Sequence, residues 1–241
     1  MIYSQDYIID YHQLDINLKV TLPKLLTYLQ ETATRHSDDS GITMDYLFEH
    51  KVGWVLINWN VKILKMPSWR DKITIETAPE LFKGIVAYRG FWVKNEAGEV
   101  IAYASSKWVF TSRELRRPIR AEKELVDKYG ELRPMPLEGD FKISDISTME
   151  LIKENEILVG RRDMDSNRHV NNISYIDWAL ELIEDEVYYS KDIVEARLTY
   201  KKECLAGDKV YLKCYKNDET YIVLLNDADQ NSVCEFEFVL N

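Results

Sequence analysis

The sequence predicts an α+β fold built from two tandem units, each a helix followed by strands. Three observations predict it. An apolar stripe at helical spacing followed by strand-like runs occurs in both halves of the 241-residue chain. Two short motifs recur in the same order in each half. A charged stretch carrying Pro118, Pro134 and Pro136 lies between the halves. The expected division is an N-terminal unit over residues 1–111, a linker over 112–155 and a C-terminal unit over 156–241.

The first half opens with a strand-like run near residues 3–11 and the segment Asp15–Thr21. A helix follows, with Leu25, Leu26, Leu29 and Ala33 on one stripe, Thr21 as its cap and Pro23 in its first turn, where a missing amide costs nothing. Strands are expected near residues 54–64, 72–77, 85–94 and 100–110, because β-branched and aromatic residues suit a pleated surface. The Ala97-Gly98-Glu99 turn joins the last two as a hairpin. The second half repeats the order: a strand near 156–162, a helix over 172–183, then strands near 193–203, 209–215, 220–225 and 234–240.

The halves correspond in detail. Asp15-x-Asn17-x-Lys19-Val20 precedes Asp165-x-Asn167-x-His169-Val170 by 150 positions (165 minus 15), and Asp71-Lys72-Ile73 precedes Asp208-Lys209-Val210 by 137 (208 minus 71). The difference of 13 falls in the longer segment after the first helix. On these offsets Lys19 stands where His169 does, and Met66 where Glu203 does. Duplication is the reading, with one polar centre retained in the second copy and the first freed for another task.

Composition bounds the function. Apolar residues make up 46% and charged residues 30%, as in a globular chain. The net charge of −10 argues against a nucleic-acid binder, which needs a basic footprint. No apolar run approaches the roughly 18 residues needed to span a bilayer. The N-terminus lacks a secretory pattern, and Cys204, Cys214 and Cys234 have no paired spacing, so reduced thiols in a cytoplasm are expected. No histidine stands at metal-ligand spacing from another His or Cys, so no structural zinc is expected; no cofactor is expected either.

Asp165, Asn167 and His169 stand directly ahead of the second helix, which Asn171 or Asn172 can cap. Side chains there meet the positive dipole end and the free amides of a first turn, a setting that favours developing negative charge. A site that polarises a carbonyl is built this way.

Several segments in register resemble the acyl-acyl carrier protein thioesterases of plant plastids and some bacteria, over almost the whole length. They are Leu29-Gln30-Glu31-Thr32-Ala33 with His36, Trp54-Val55, Met66-Pro67-Ser68-Trp69-Arg70-Asp71, and Ser106-Lys107-Trp108-Val109-Phe110 followed by Arg116-Arg117. In the second half they are the 165–172 loop and Glu203-Cys204. The resemblance implies two fused hotdog units, each a long helix wrapped by a curved antiparallel sheet. The first would hold much of the acyl pocket and the second the catalytic groups. The chain is shorter than plant members and carries no transit segment, which suits a bacterial enzyme.

On that reading Asp165, Asn167, His169 and Glu203 are the catalytic set, hydrolysing the thioester of a fatty acyl-acyl carrier protein. Glu203, on a strand facing a dry pocket, is the base for water. Asn167 holds the water or the carbonyl, His169 passes a proton to the departing sulfur, Asp165 orients its neighbours or itself serves as a base, and helix amides carry the oxyanion. Cys204 offers a rival, a thiolate nucleophile with His169 as base and a pKa lowered by Lys201 and Lys202. On a strand, adjacent residues face opposite ways, so one of Glu203 and Cys204 enters the pocket, and Glu203 is the expectation. Arg116 and Arg117, in a cluster with Arg113 and Arg120, are candidates to dock an acidic carrier protein; the alternative is a solvated segment paired with Glu114 and Glu122. Other readings are acyl-CoA hydrolysis, hydration of an enoyl thioester, and a non-catalytic acyl-thioester sensor. Hydratases of this fold space the residues D-x-N-x-x-H, one longer than here. A homodimer is one open assembly, because hotdog units usually pair.

Overall fold

In a computed structural model describing residues 2–137 and 141–241, the apolar stripe of the first half forms α1, Leu22–Asp39. Leu22, Leu25, Leu26, Leu29 and Ala33 are all buried on it. Burying each leucine contributes roughly 1.5–3 kcal/mol, so packing rather than propensity holds the helix. Thr21 occupies the N-cap position, but its side chain makes no capping bond.

The chain divides into two units, Met1–Gly139 and Asp140–Asn241. In the first, β1 (Tyr3–Ile8), α1, the short α2 (Met44–Glu49), β2 (Val52–Ile63), β3 (Lys72–Lys83), β4 (Val86–Asn95) and β5 (Val100–Ser112) follow in order, then β6 (Arg117–Pro118) and α3 (Lys123–Asp127). The strands pair antiparallel in the order β1-β3-β4-β5-β2, with β6 added to β5, and α1 packs on β3. In the second, β7 (Glu150–Leu158), α4 (Asn172–Leu180), α5 (Asp185–Ser190), β8 (Ile193–Tyr200), β9 (Lys209–Asn217), β10 (Thr220–Asn226) and β11 (Ser232–Leu240) form an antiparallel sheet ordered β7-β9-β10-β11-β8, against which α4 packs on β11. Strand for strand the two orders are the same.

The duplication extends to individual hydrogen bonds at both sequence offsets. Asp15 N donates to Lys19 O and Asp165 N to His169 O, both at 2.8 Å. Ile9 N donates to Asp71 O at 3.0 Å and Val159 N to Asp208 O at 2.9 Å. Val20 N reaches Pro67 O at 2.8 Å and Val170 N reaches Cys204 O at 3.0 Å. Leu18 and Arg168, matched at offset 150, both adopt positive φ, +59° and +66°.

Three sequence expectations are corrected. The strand placed at 156–162 is β7, which starts at Glu150; as an edge strand with mostly exposed side chains on both faces it carries no alternation to read. The second helix ends at Leu180, where i→i−3 bonds from Leu182 to Ala179 and from Ile183 to Leu180 tighten the chain while Ile183 stays buried. The apolar period therefore outlasts the helix. The strand placed at 193–203 stops at Tyr200, where the ladder with β11 ends.

Much of the expected linker belongs to the units themselves. Leu125 and Tyr129 pack with Ile42 and Phe110 in a second small core of the first unit. Arg133 lies over the Trp92 ring at 3.7 Å, and Ser105 Oγ donates to Leu137 O at 3.0 Å. In the second unit Ser144 N donates to the buried Glu237 carboxylate at 2.6 Å. Residues 138–140 of that expected linker, and residue 1 of the expected N-terminal unit, lie outside the described residues. No helix among the described residues is long and apolar enough to cross a membrane.

Candidate active site

The loop ahead of α4 is built around one carboxylate. A 3₁₀ turn over Arg161–Asp163 and a bridge between Met164 and Val170 close its base. Inside it, Asp165 Oδ1 accepts from the amides of Asn167 at 2.8 Å and His169 at 3.1 Å, and Oδ2 accepts from the Asn167 side chain at 3.2 Å. Asp165 thereby shapes the loop, holding the backbone of Asn167 and His169 in place. Asn171 caps α4, its Oδ1 accepting from Ile173 N at 2.9 Å, while Ser174 N donates to Asn171 O at 2.9 Å. Those two first-turn amides are engaged within the protein.

Glu203 stands in the segment between β8 and β9, not on a strand. Its Oε2 lies 3.4 Å from His169 Nε2, with side-chain exposures of 56% for Glu203 and 38% for His169. The dry pocket expected around Glu203 is not what surrounds it here. Cys204 faces the other way, into the core at 2% exposure. Burial pushes its thiol pKa up, and this outweighs the opposite pull of Lys202, which pairs with Asp227 at 2.5 Å. Lys201 pairs with Glu235. The expected lowering of the thiol pKa by these lysines is therefore reversed, and Cys204 is a protonated, inward-facing thiol.

The family model for the acyl-ACP thioesterase N-terminal domain matches residues 1–129, and that for the C-terminal domain matches residues 146–240. The chain belongs to the acyl-ACP thioesterase family. Over 225 residues it is 31% identical to the chloroplastic oleoyl-acyl carrier protein thioesterase 2 of Arabidopsis thaliana, covering 86% of this chain and 61% of that relative. The crystal structure of an acyl-ACP thioesterase from Bacteroides thetaiotaomicron superposes with a TM-score of 0.87 at 25% identity, over 100% of this chain and 98% of the other. The 12:0-ACP thioesterase of Umbellularia californica shares the fold, with a TM-score of 0.87 at 19% identity over 100% and 97% of the two chains. The architecture is that of two hotdog units.

Within this acyl-ACP thioesterase fold, Asp165, Asn167, His169 and Glu203 come together in the second unit. Both candidate docking arginines are exposed in the first: Arg116 on the turn from β5 into β6, with a φ of +48°, and Arg117 as the first residue of β6. Glu114 pairs with Lys51 at 3.3 Å, not with an arginine of the cluster. Arg113 lies over the Phe48 ring at 4.5 Å.

Two polar arrangements escaped the sequence reading. In the first unit, buried Arg89 donates from Nη1 to His36 Nδ1 at 2.9 Å and to Thr77 Oγ1 at 3.2 Å. In the second, the buried Tyr175 hydroxyl accepts from Cys204 N at 2.9 Å. The one signal in the sequence is the contrast with Leu25, the counterpart of Tyr175 in the first copy.

Proposed function

We propose that this chain hydrolyses the thioester of fatty acyl-acyl carrier protein, releasing the free fatty acid and ending chain elongation. The approach of His169 to Glu203, beside an Asp-shaped loop at the mouth of α4, is the observation that carries the reading. Glu203 takes a proton from water as the oxygen attacks the thioester carbonyl carbon. Asn167 donates one amide hydrogen to Asp165; the second hydrogen is the donor for the carbonyl oxygen as negative charge grows on it. As the C–S bond breaks, the proton passes from Glu203 through His169 to the sulfur, so the products are a carboxylic acid and a free thiol.

Acyl carrier protein is an acidic partner in this reading, and Arg116 and Arg117 offer a local basic surface on a chain whose net charge would otherwise repel it. Screening over about 8–10 Å at cellular salt makes such a local patch sufficient. The three buried, unbridged cysteines suit a cytoplasmic setting. The test is to incubate the purified protein with matched acyl-carrier-protein and acyl-CoA thioesters and follow free thiol. Turnover of the carrier-linked esters is expected, and preference for CoA esters, or no thiol release from either, would overturn it.

A further inference from the structure

We propose that Tyr175 is a positioning residue for Glu203, its hydroxyl holding the backbone of Cys204 so that the neighbouring carboxylate meets His169. The proposal rests on the catalytic reading of Glu203 given above.

Glu203 has no strand ladder to fix it, since β8 ends at Tyr200 and the chain returns to a sheet only at Lys209. Ahead of it, the amides of Lys201 and Lys202 donate to Val233 O at 2.8 and 3.2 Å. Behind it, the Cys204 residue is held at both ends. Its N–H donates to Tyr175 Oη at 2.9 Å, and its C=O accepts from Val170 N at 3.0 Å. Val170 directly follows His169, and Tyr175 stands in the first turns of the helix that the His169 loop opens. The separation between imidazole and carboxylate is therefore set by two contacts to the one residue that follows Glu203. Tyr175 is itself fixed: it is 2% exposed, with ring contacts to Trp178 at 5.2 Å and Tyr200 at 6.2 Å. Burial raises its pKa, so the hydroxyl stays protonated.

The first unit is a built-in control. On the two sequence offsets Tyr175 matches Leu25 and Cys204 matches Pro67. Leucine has no hydroxyl and proline has no amide hydrogen, so the contact is missing from both sides at once. The other contact survives, with Val20 N donating to Pro67 O at 2.8 Å. The fold of such a unit thus needs the valine contact and does without the tyrosine contact. The tyrosine contact is present in the copy that also carries His169 and Glu203, where the first copy has Lys19 and Met66.

Tyr175→Phe removes the one oxygen and leaves the ring. It is expected to lower kcat about 10-fold while KM stays within about twofold. The deciding measurement is a double-mutant cycle with Glu203→Gln. If Tyr175 acts through Glu203, Tyr175→Phe costs nothing further once the carboxylate is gone. The same fold loss in both backgrounds, or an unchanged kcat in the single variant, overturns the proposal. A fully active Glu203→Gln variant overturns the role of Glu203 itself, whereas an impaired but measurable one with multiplicative losses overturns this proposal alone. Should Tyr175→Phe fail to fold, Tyr175→Leu combined with Cys204→Pro installs the first unit's own pair. It is expected to fold and to lose kcat by the same factor, and undiminished turnover in that variant counts equally against the proposal.

Discussion

Nε2 of His169 lies 3.4 Å from Oε2 of Glu203, although neither residue stands on a helix or strand. A loop before α4 and a segment after β8 meet because Val170 and Tyr175 both bind the backbone of Cys204. The order of groups at this point separates two chemistries, general-base attack by water and nucleophilic attack by sulfur.

Glu203→Gln is expected to lower kcat by roughly 10²–10⁴, the usual worth of a positioned base. Cys204→Ala is expected to keep most turnover, since its thiol is buried and its pKa raised. Steady-state thiol release from both variants decides it, and the reverse pattern would restore the cysteine mechanism.

Asp165 and Asp15 make the same two backbone contacts in their loops, at 2.8 and 3.1 Å and at 2.8 and 3.0 Å. Removing either carboxylate by alanine is expected to cost about 1 kcal/mol of stability, as for other side-chain caps. Asp165→Ala is also expected to reduce kcat at least 10-fold by loosening Asn167 and His169. Asp15→Ala should leave kcat of the folded protein unchanged. Denaturant unfolding and kinetics on the pair separate scaffold from site.

Charge reversal at Arg116 and Arg117 is expected to raise KM for carrier-linked substrate about 10-fold at low salt and to spare a small-thiol ester. The difference should shrink as ionic strength rises. Equal effects on both substrates would remove the docking role.

His36 sits against the Arg89 guanidinium, its pKa lowered to about 4 by burial and by that neighbouring charge. The unfolded side chain titrates near 6.5. Between those values the unfolded state binds the proton and the folded state does not, so stability rises with pH across the window and is lost on acidification. The contribution is on the order of 1–3 kcal/mol. His36→Gln is expected to flatten the pH dependence between about 6.5 and 4, measured by urea unfolding at fixed pH values.

Gly90 has no room for a side chain. A Cβ there would stand 2.8 Å from Pro136 Cδ, 2.9 Å from the Trp92 ring and 3.3 Å from Met135 Cα. Gly90→Ala is expected to destabilise the first unit by about 1–3 kcal/mol, the usual cost of overpacking. Thermal unfolding would detect it, and an unchanged midpoint would show that the 133–137 segment yields.

The sequence by itself determined the duplication, the order of elements and the Asp165-x-Asn167-x-His169 loop ahead of the second helix. These are local facts, because periodicity, loop closure by an Asp side chain and motif spacing act within a few residues. It did not fix β7, whose edge position leaves no alternation, or the end of α4, where buried Ile183 continues the apolar period past the last helical turn. Whether Glu203 or Cys204 faces His169 was equally beyond it, because residues distant in sequence decide that by binding the Cys204 backbone. Tertiary structure alone turned the thiol into the core and left the carboxylate beside the imidazole. Hydrogen bonds between separate segments and the burial of one side chain are the physical reasons.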